Sequence, residues 1–294
     1  MNKQIGNKTK GVIYILLSAV FFTGMNTFVR LSGDVPTFQK VFFRNFVAMF
    51  FALFALIKAG ESIKPAKGCL KYHILRSVIG LAGVFGNFYA IDKIELSDAS
   101  TLNKMSPFFA LIFSALFIKE KVKPKQAIAI AIAFIGALFI IKPTFGNENI
   151  IASMAGFIGG MCAGAAYTCV RQLGIMGENG KLIVFLFSAF SSLVTAPYLI
   201  FDYHPMAPWQ WAALLMAGLC AAGGQFSITA AYTHAPSREI SVYDYSQVVF
   251  AAIVGFFAFG DIPDLWSFVG YFVICAMAVW MFLYNNRNLL HKKT

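Results

Sequence analysis

The sequence predicts an all-α, polytopic membrane protein with ten transmembrane helices arranged as two inverted five-helix repeats. Three observations predict it. The 294 residues are 59% apolar and only 13% charged, with a mean hydropathy of +0.69. The apolar residues fall into runs of membrane-spanning length. The second half of the chain echoes the first at a nearly constant shift.

The composition excludes several classes at once. Soluble domains are nearer half apolar and a quarter charged. Even a large soluble domain buries only about three quarters of its unfolded surface, so 32 phenylalanines in a chain of this length could not be hidden from water. A soluble enzyme and a nucleic-acid-binding module are therefore not expected. Five cysteines in no Cys-x-x-Cys pattern imply neither a disulfide framework nor a metal site.

In order, the apolar runs are 11–31, 38–58, 72–91, 99–118, 125–142, 151–172, 182–201, 209–232, 240–259 and 265–284. The first follows Lys3, Lys8 and Lys10 like a signal peptide. It continues to Leu31 without a small-x-small cleavage site and is read as a retained helix. The breaks carry turn chemistry or charge: Gly33 to Pro36, Lys64-Pro65, Lys121 to Pro124, Pro143 to Asn147, Gly177 to Lys181, Asp202 to Pro208, Ala235-Pro236 and Asp261 to Pro263.

Orientation follows from the basic loops. With the N-terminus inside, most of the 24 Lys and Arg fall on the cytoplasmic side, Arg76 counted among them, while Asp34, Asp92, Glu95, Asp98, Glu148, Asp202, Asp261 and Asp264 fall outside. The sequence thus predicts a multi-pass protein of the inner or plasma membrane with both termini cytoplasmic. The net charge of +11 then records topology and needs no nucleic acid.

The repeat is visible between 96–122 and 237–263. A shift of 141 superposes Asp98 on Glu239, Ser100 on Ser241, Glu120 on Asp261 and Arg30 on Arg171. Gly86-Asn87-Phe88 matches Gly224-Gln225-Phe226 at a shift of 138. The halves are residues 1–146 and 147–294. Five helices is an odd number, so the second half enters the membrane from the opposite side. Inverted repeats of this kind pack around a pseudo-two-fold axis and place a site near the midplane.

On these residues the chain resembles the drug/metabolite transporter superfamily, in its EamA-type branch. The resemblance rests on Arg44 in VFFRNF and on FYAIDKIELSDASTLNKMSPFFALIFSALFIKEKV at 88–122, with Pro107 in the fourth helix, Glu120 closing it and Gly136 beyond. In the second half Val248 replaces the proline and Asp261 the glutamate. Ala230-Ala231-Tyr232 echoes the Tyr-Ala segment. The resemblance implies a metabolite carrier without ATP hydrolysis, often an exporter, sometimes an exchanger or importer.

Ionisable groups inside a span mark functional sites by default. Lys104 and Asp244 lie in the equivalent fourth and ninth helices, where the shift of 141 sets Asn103 on Asp244 and Lys104 on Tyr245. They could clamp a zwitterion, ammonium against one group and carboxylate against the other, or form a buried structural ion pair. Asn26, Asn87, Tyr89, Asn103, Tyr167, Gln225, Tyr232, Tyr243, Tyr245 and Gln247 are candidates for a polar lining, because each needs a partner in hydrocarbon. Five successive polar residues on the ninth helix cannot all face one cavity. Arg44, one and a half turns into the second helix, could bind an anion or pair with Asp98. Arg30 and Arg171 read as interface anchors, and Glu120 and Asp261 as packing or gate elements. Pro107 can kink its helix.

No Walker loop, His-Glu-x-x-His or nucleophile elbow occurs. The expectation is a non-enzymatic carrier, without cofactor or catalytic metal, moving a small polar or amphipathic metabolite across the bilayer by alternating access. An amino acid, zwitterion or organic ion fits the lining. A proton on Asp244 is a candidate coupling ion, and the unit is a monomer or homodimer. The alternative is a membrane-embedded enzyme, channel-like protein or sensor.

Overall fold

A computed structural model describes residues 2–117, 123–142, 149–234 and 241–290. Glu120, Arg238 and Glu239 lie outside these. Every regular element among the described residues is helical: α1 (Asn2–Leu31), α2 (Thr37–Lys58), α3 (Leu70–Ile91), α4 (Leu96–Asn103), α5 (Ser106–Phe117), α6 (Pro124–Ile141), α7 (Ile150–Ile175), α8 (Gly180–Phe201), α9 (Pro208–His234), a 3₁₀ turn (Ser241–Tyr245), α10 (Ser246–Val254), a π turn (Gly255–Phe259) and α11 (Leu265–Leu290). Eight of the helices are long and apolar enough to cross a membrane. The expected fourth and ninth helices are each divided. α4 with α5 forms one span, and the 3₁₀ turn with α10 and the π turn forms the other, giving about ten crossing segments.

Local chemistry sets the helix starts. Pro36 precedes α2 and Pro124 opens α6, where a missing N–H costs nothing. Asn179 caps α8 by accepting from the Lys181 N–H at 2.9 Å, and Asp264 caps α11 by accepting from the Ser267 N–H at 2.8 Å.

The packing is inverted relative to a soluble protein. Phe54, Phe201, Phe257, Phe272 and Ile200 face outward, while Lys40, Arg44, Arg76, Asp98, Lys104 and Asp244 are buried. Such an exterior suits hydrocarbon. The principal pairings are α1 with α9, α3 with α7, α2 with α8, and α6 with α11. At the α3–α7 crossing the backbones touch. A Cβ on Gly86 would lie 2.5 Å from the Ala155 carbonyl oxygen, so only glycine permits this approach.

Ion pairs tie both ends of the bundle. At the end assigned to the outside by the charge count, Arg30 makes two contacts with Asp261, at 2.5 and 2.9 Å, and lies over the Phe259 ring. Asp261 also accepts from the Leu96 N–H at 3.0 Å. One carboxylate therefore joins α1, the entry to α4 and the end of the ninth span. Arg30 is held by a specific partner and not merely by the interface. Lys40 pairs with Asp92 at 2.6 Å and Lys142 with Asp264 at 2.8 Å.

At the other end, His73 Nε2 donates to Glu178 at 3.0 Å, and Lys181 reaches Glu61 at 3.1 Å. Burial pushes the Glu178 carboxyl up. The hydrogen bonds from His73 and from the Ala66 and Asn179 N–H groups outweigh it and hold the carboxyl below its usual range. A depressed carboxyl stabilises the fold above its unfolded pKa, and that contribution is lost as pH falls through the lowered folded value. Thermal unfolding in detergent should therefore show an acid-side loss of stability that Glu178→Gln reduces. An unchanged acid limb in the variant would show that this loop does not carry it.

Candidate functional site at two helix breaks

The fourth span breaks at Lys104 and Met105. Pro107 is the second residue of α5 and has no N–H for the Asn103 carbonyl, so the helix cannot run through. The ninth span has Val248 at the corresponding place, yet it changes winding between Tyr245 and Ser246, the same register at the 141 shift. Electrostatics favours both breaks. Lys104 sits at the C-terminal end of α4 and Asp244 just before the N-terminus of α10. Each charge thus meets the helix end of opposite sign.

The two charges face each other. Lys104 Nζ lies 2.7 Å from Asp244 Oδ2, and the residues are only 3% and 2% exposed. Asp244 Oδ1 has no partner among the described residues. Tyr245 Oη donates to the Lys104 carbonyl at 2.9 Å, so one break satisfies a backbone group of the other. The glycine stripe of α7 seats the fourth-span break. A Cβ on Gly160 would lie 2.5 Å from the Leu102 carbonyl oxygen, and one on Gly164 would lie 2.6 Å from that of Ser106.

A cavity of about 80 Å³ opens beside the pair. Its polar lining comprises Asn26, Arg44, Arg76, Asn87, Asn103, Lys104, Tyr167, Gln225 and Gln247, and Phe22, Phe88 and Phe187 supply apolar wall. Asn87 Nδ2 lies 3.4 Å from Asn26 Oδ1. Thus α1, α2, α3, α7, α8, α9 and both broken spans contribute. The volume suits a few water molecules, not a metabolite, so a substrate requires the surrounding helices to part.

Most residues expected at a binding site meet here, with exceptions. Tyr89 is 38% exposed and lines a separate vestibule of about 510 Å³ near the Arg30 end, with Asp34, Asp92 and Lys93. Tyr243 is exposed and packs edge-on against Phe282. Tyr245 acts behind the cavity, through Lys104. The side chain of Tyr232 lies outside the described residues. Asp98 does not meet Arg44. It accepts from Tyr271 at 2.5 Å and from Ser267 at 3.1 Å.

Arg76, counted on the cytoplasmic side near the start of the third run, is buried in the lining. A pattern in the sequence points there. Arg76, Gly80, Gly83 and Asn87 recur at i, i+4, i+7 and i+11, so one helix face carries Arg76, two glycines and the Asn87 amide expected at the site.

Comparison with known proteins places the chain. The EamA-like transporter family matches residues 9–142. The Pseudopaline exporter CntI of Pseudomonas aeruginosa is 30% identical, over 88% of this chain and 91% of that protein. An uncharacterized transporter of Helicobacter pylori is 26% identical over 88% and 90% of the two chains. Human Solute carrier family 35 member G1 is 27% identical over 91% of this chain and 77% of that one. A crystal structure at 14% identity shares the fold, with a TM-score of 0.67 over 97% of this chain and 99% of that one. The ten-segment helical fold and relatives along nearly the whole length lead to one assignment: the chain belongs to the EamA-like transporter family of the drug/metabolite transporter superfamily, as a multi-pass membrane protein that transports a small molecule.

Proposed function

We propose that this protein is a secondary transporter that moves a small polar or amphipathic metabolite, an amino acid or related zwitterion or organic ion, across the plasma membrane by alternating access. The observation that carries the reading is the Lys104–Asp244 pair, held at the breaks of two spans in the same register. Discontinuous helices put charged ends and unpaired backbone groups where a substrate can use them. The packing supports two inverted repeats divided near residue 146. The α1–α9 contact corresponds under the 141 and 138 shifts to α7–α3, while α2–α8 and α6–α11 each map onto themselves. The basic loops support cytoplasmic termini, and the relative named as a pseudopaline exporter supports export.

In this reading a substrate ammonium competes with Lys104 for Asp244, and a substrate anion competes with Asp244 for Lys104. Asp244 Oδ1 is buried without a partner among the described residues, and it is the acceptor that a substrate ammonium meets once the surrounding helices part. Asp244 could also carry a proton once its partner is drawn away. The test is a thermal-shift screen of metabolites on the purified protein, since ligands that bind the folded state raise its apparent stability. It is followed by flux of the stabilising compounds in liposomes with and without a pH gradient. Flux that responds to the gradient in the wild type and not in Asp244→Asn supports the proton role, and an unchanged response in the variant removes it. No protein-dependent flux of any stabilising compound would overturn the reading.

A further inference from the structure

The charges in the cavity do not balance. Lys104 has Asp244, but Arg44 and Arg76 have no carboxylate partner among the described residues. They are 1% and 4% exposed. Arg44 Nη1 donates to the Asn45 amide oxygen at 2.5 Å, and the Nε atoms of both arginines are without acceptors. Both guanidinium groups flank one aromatic ring. Arg76 lies 3.5 Å from the centroid of Phe187 and Arg44 lies 5.6 Å from it. Gly80 makes the room, since a Cβ there would lie 2.5 Å from Arg76 Nη1. A ring face attracts a cation but cannot satisfy the outward N–H donors. Two buried cations without an anion carry a large desolvation cost, which a structural role would leave uncompensated.

We propose that Arg44 and Arg76 form a dianion-binding subsite of the cavity, so that the substrate carries two negative charges in addition to the group read by Lys104 and Asp244. This rests on the transporter reading and narrows its substrate to an amine bearing several carboxylates or a phosphate. The planar guanidinium fork fits either group in bidentate geometry, and the excess positive charge of the described cavity calls for it. The Phe187 ring lies against both guanidinium groups and fixes where the two forks sit.

The test uses the full-length protein in detergent at constant ionic strength. Unfolding midpoints are followed against alanine, glutamate, citrate and glycerol phosphate in the wild type, Arg44→Gln, Arg76→Gln and Arg76→Lys. Citrate or glycerol phosphate is expected to raise the wild-type midpoint, and the stronger of the two tells carboxylates from phosphate. Each Gln variant should weaken that response about tenfold or more, while Arg76→Lys keeps part of it. Without ligand, the Gln variants should unfold no earlier than the wild type, because an unpaired buried cation has gone. A Gln variant that unfolds earlier and keeps the wild-type dianion response would overturn the subsite in favour of a structural role. So would a wild type that responds to alanine and to neither dianion. That last result, with alanine carried in liposomes, leaves the transporter reading standing. Absence of flux for every compound strikes the transporter reading instead.

Discussion

Lys104→Ala is expected to abolish transport and to lower stability, and a second variant separates the two effects. The ammonium lies 2.7 Å from Asp244 in a site almost closed to solvent. Removing one member leaves an uncompensated buried carboxylate, a loss of about 3–5 kcal/mol. Lost flux in the single variant could therefore reflect a damaged fold. Lys104→Met combined with Asp244→Asn removes both charges at similar volume. Neutral replacements of buried pairs often restore stability, so the double variant should unfold near the wild-type midpoint. It should still move no substrate, because neither charge remains to exchange with a zwitterion. A stable double variant with wild-type flux in liposomes would reduce the pair to a structural element. The double-mutant cycle also yields the coupling energy of the pair.

The sequence was legible where the physics is local or periodic. Hydrocarbon requires about twenty apolar residues per helix, so eight long spans lie close to their expected bounds. The runs at 125–142 and 182–201, for example, became Pro124–Ile141 and Gly180–Phe201. The fourth and ninth spans read as single runs because hydropathy records burial in lipid and not winding. Pro107 announces the first interruption. The second depends on a charge placed before a helix N-terminus, which composition does not show. The Lys104–Asp244 juxtaposition could be reasoned from the repeat, since equivalent helices converge on a pseudo-two-fold axis. Arg76 was hidden for the opposite reason. Loop charge counts weigh sequence position, whereas its placement follows from the i, i+4, i+7 face it shares with Gly80 and Gly83. Tyr89 and Tyr243 show the converse: a residue one or two positions from Asn87 or Asp244 points elsewhere, because neighbours are about 100° apart on an α-helix and about 120° apart on a 3₁₀ turn.

Gly160 is where packing and the site meet, and a side chain there should damage both. On α7 it faces the last turn of α4, with Leu102 and Asn103 carbonyl oxygens 2.5 and 3.1 Å from a built Cβ. Those atoms are backbone, so they cannot swing aside as a side chain would. The whole segment carrying Lys104 must move. Overpacking of this kind costs about 1–3 kcal/mol for small groups. Gly160→Ala should therefore lower the unfolding midpoint and reduce flux sharply, because the displaced residues are Asn103 and Lys104 themselves. Gly160→Val, with two further carbons against the same carbonyls, should fail to yield monodisperse protein. Gly174 is the control on the same helix. Nothing lies within 4 Å of its built Cβ, and Gly174→Ala should be neutral or slightly stabilising through helix propensity. Thermal unfolding and liposome flux of the three variants check the order. Wild-type flux and stability in Gly160→Ala would mean that the break is not seated on α7 by backbone contact. The position of Lys104 would then be set by its ion pair and the Tyr245 hydrogen bond alone.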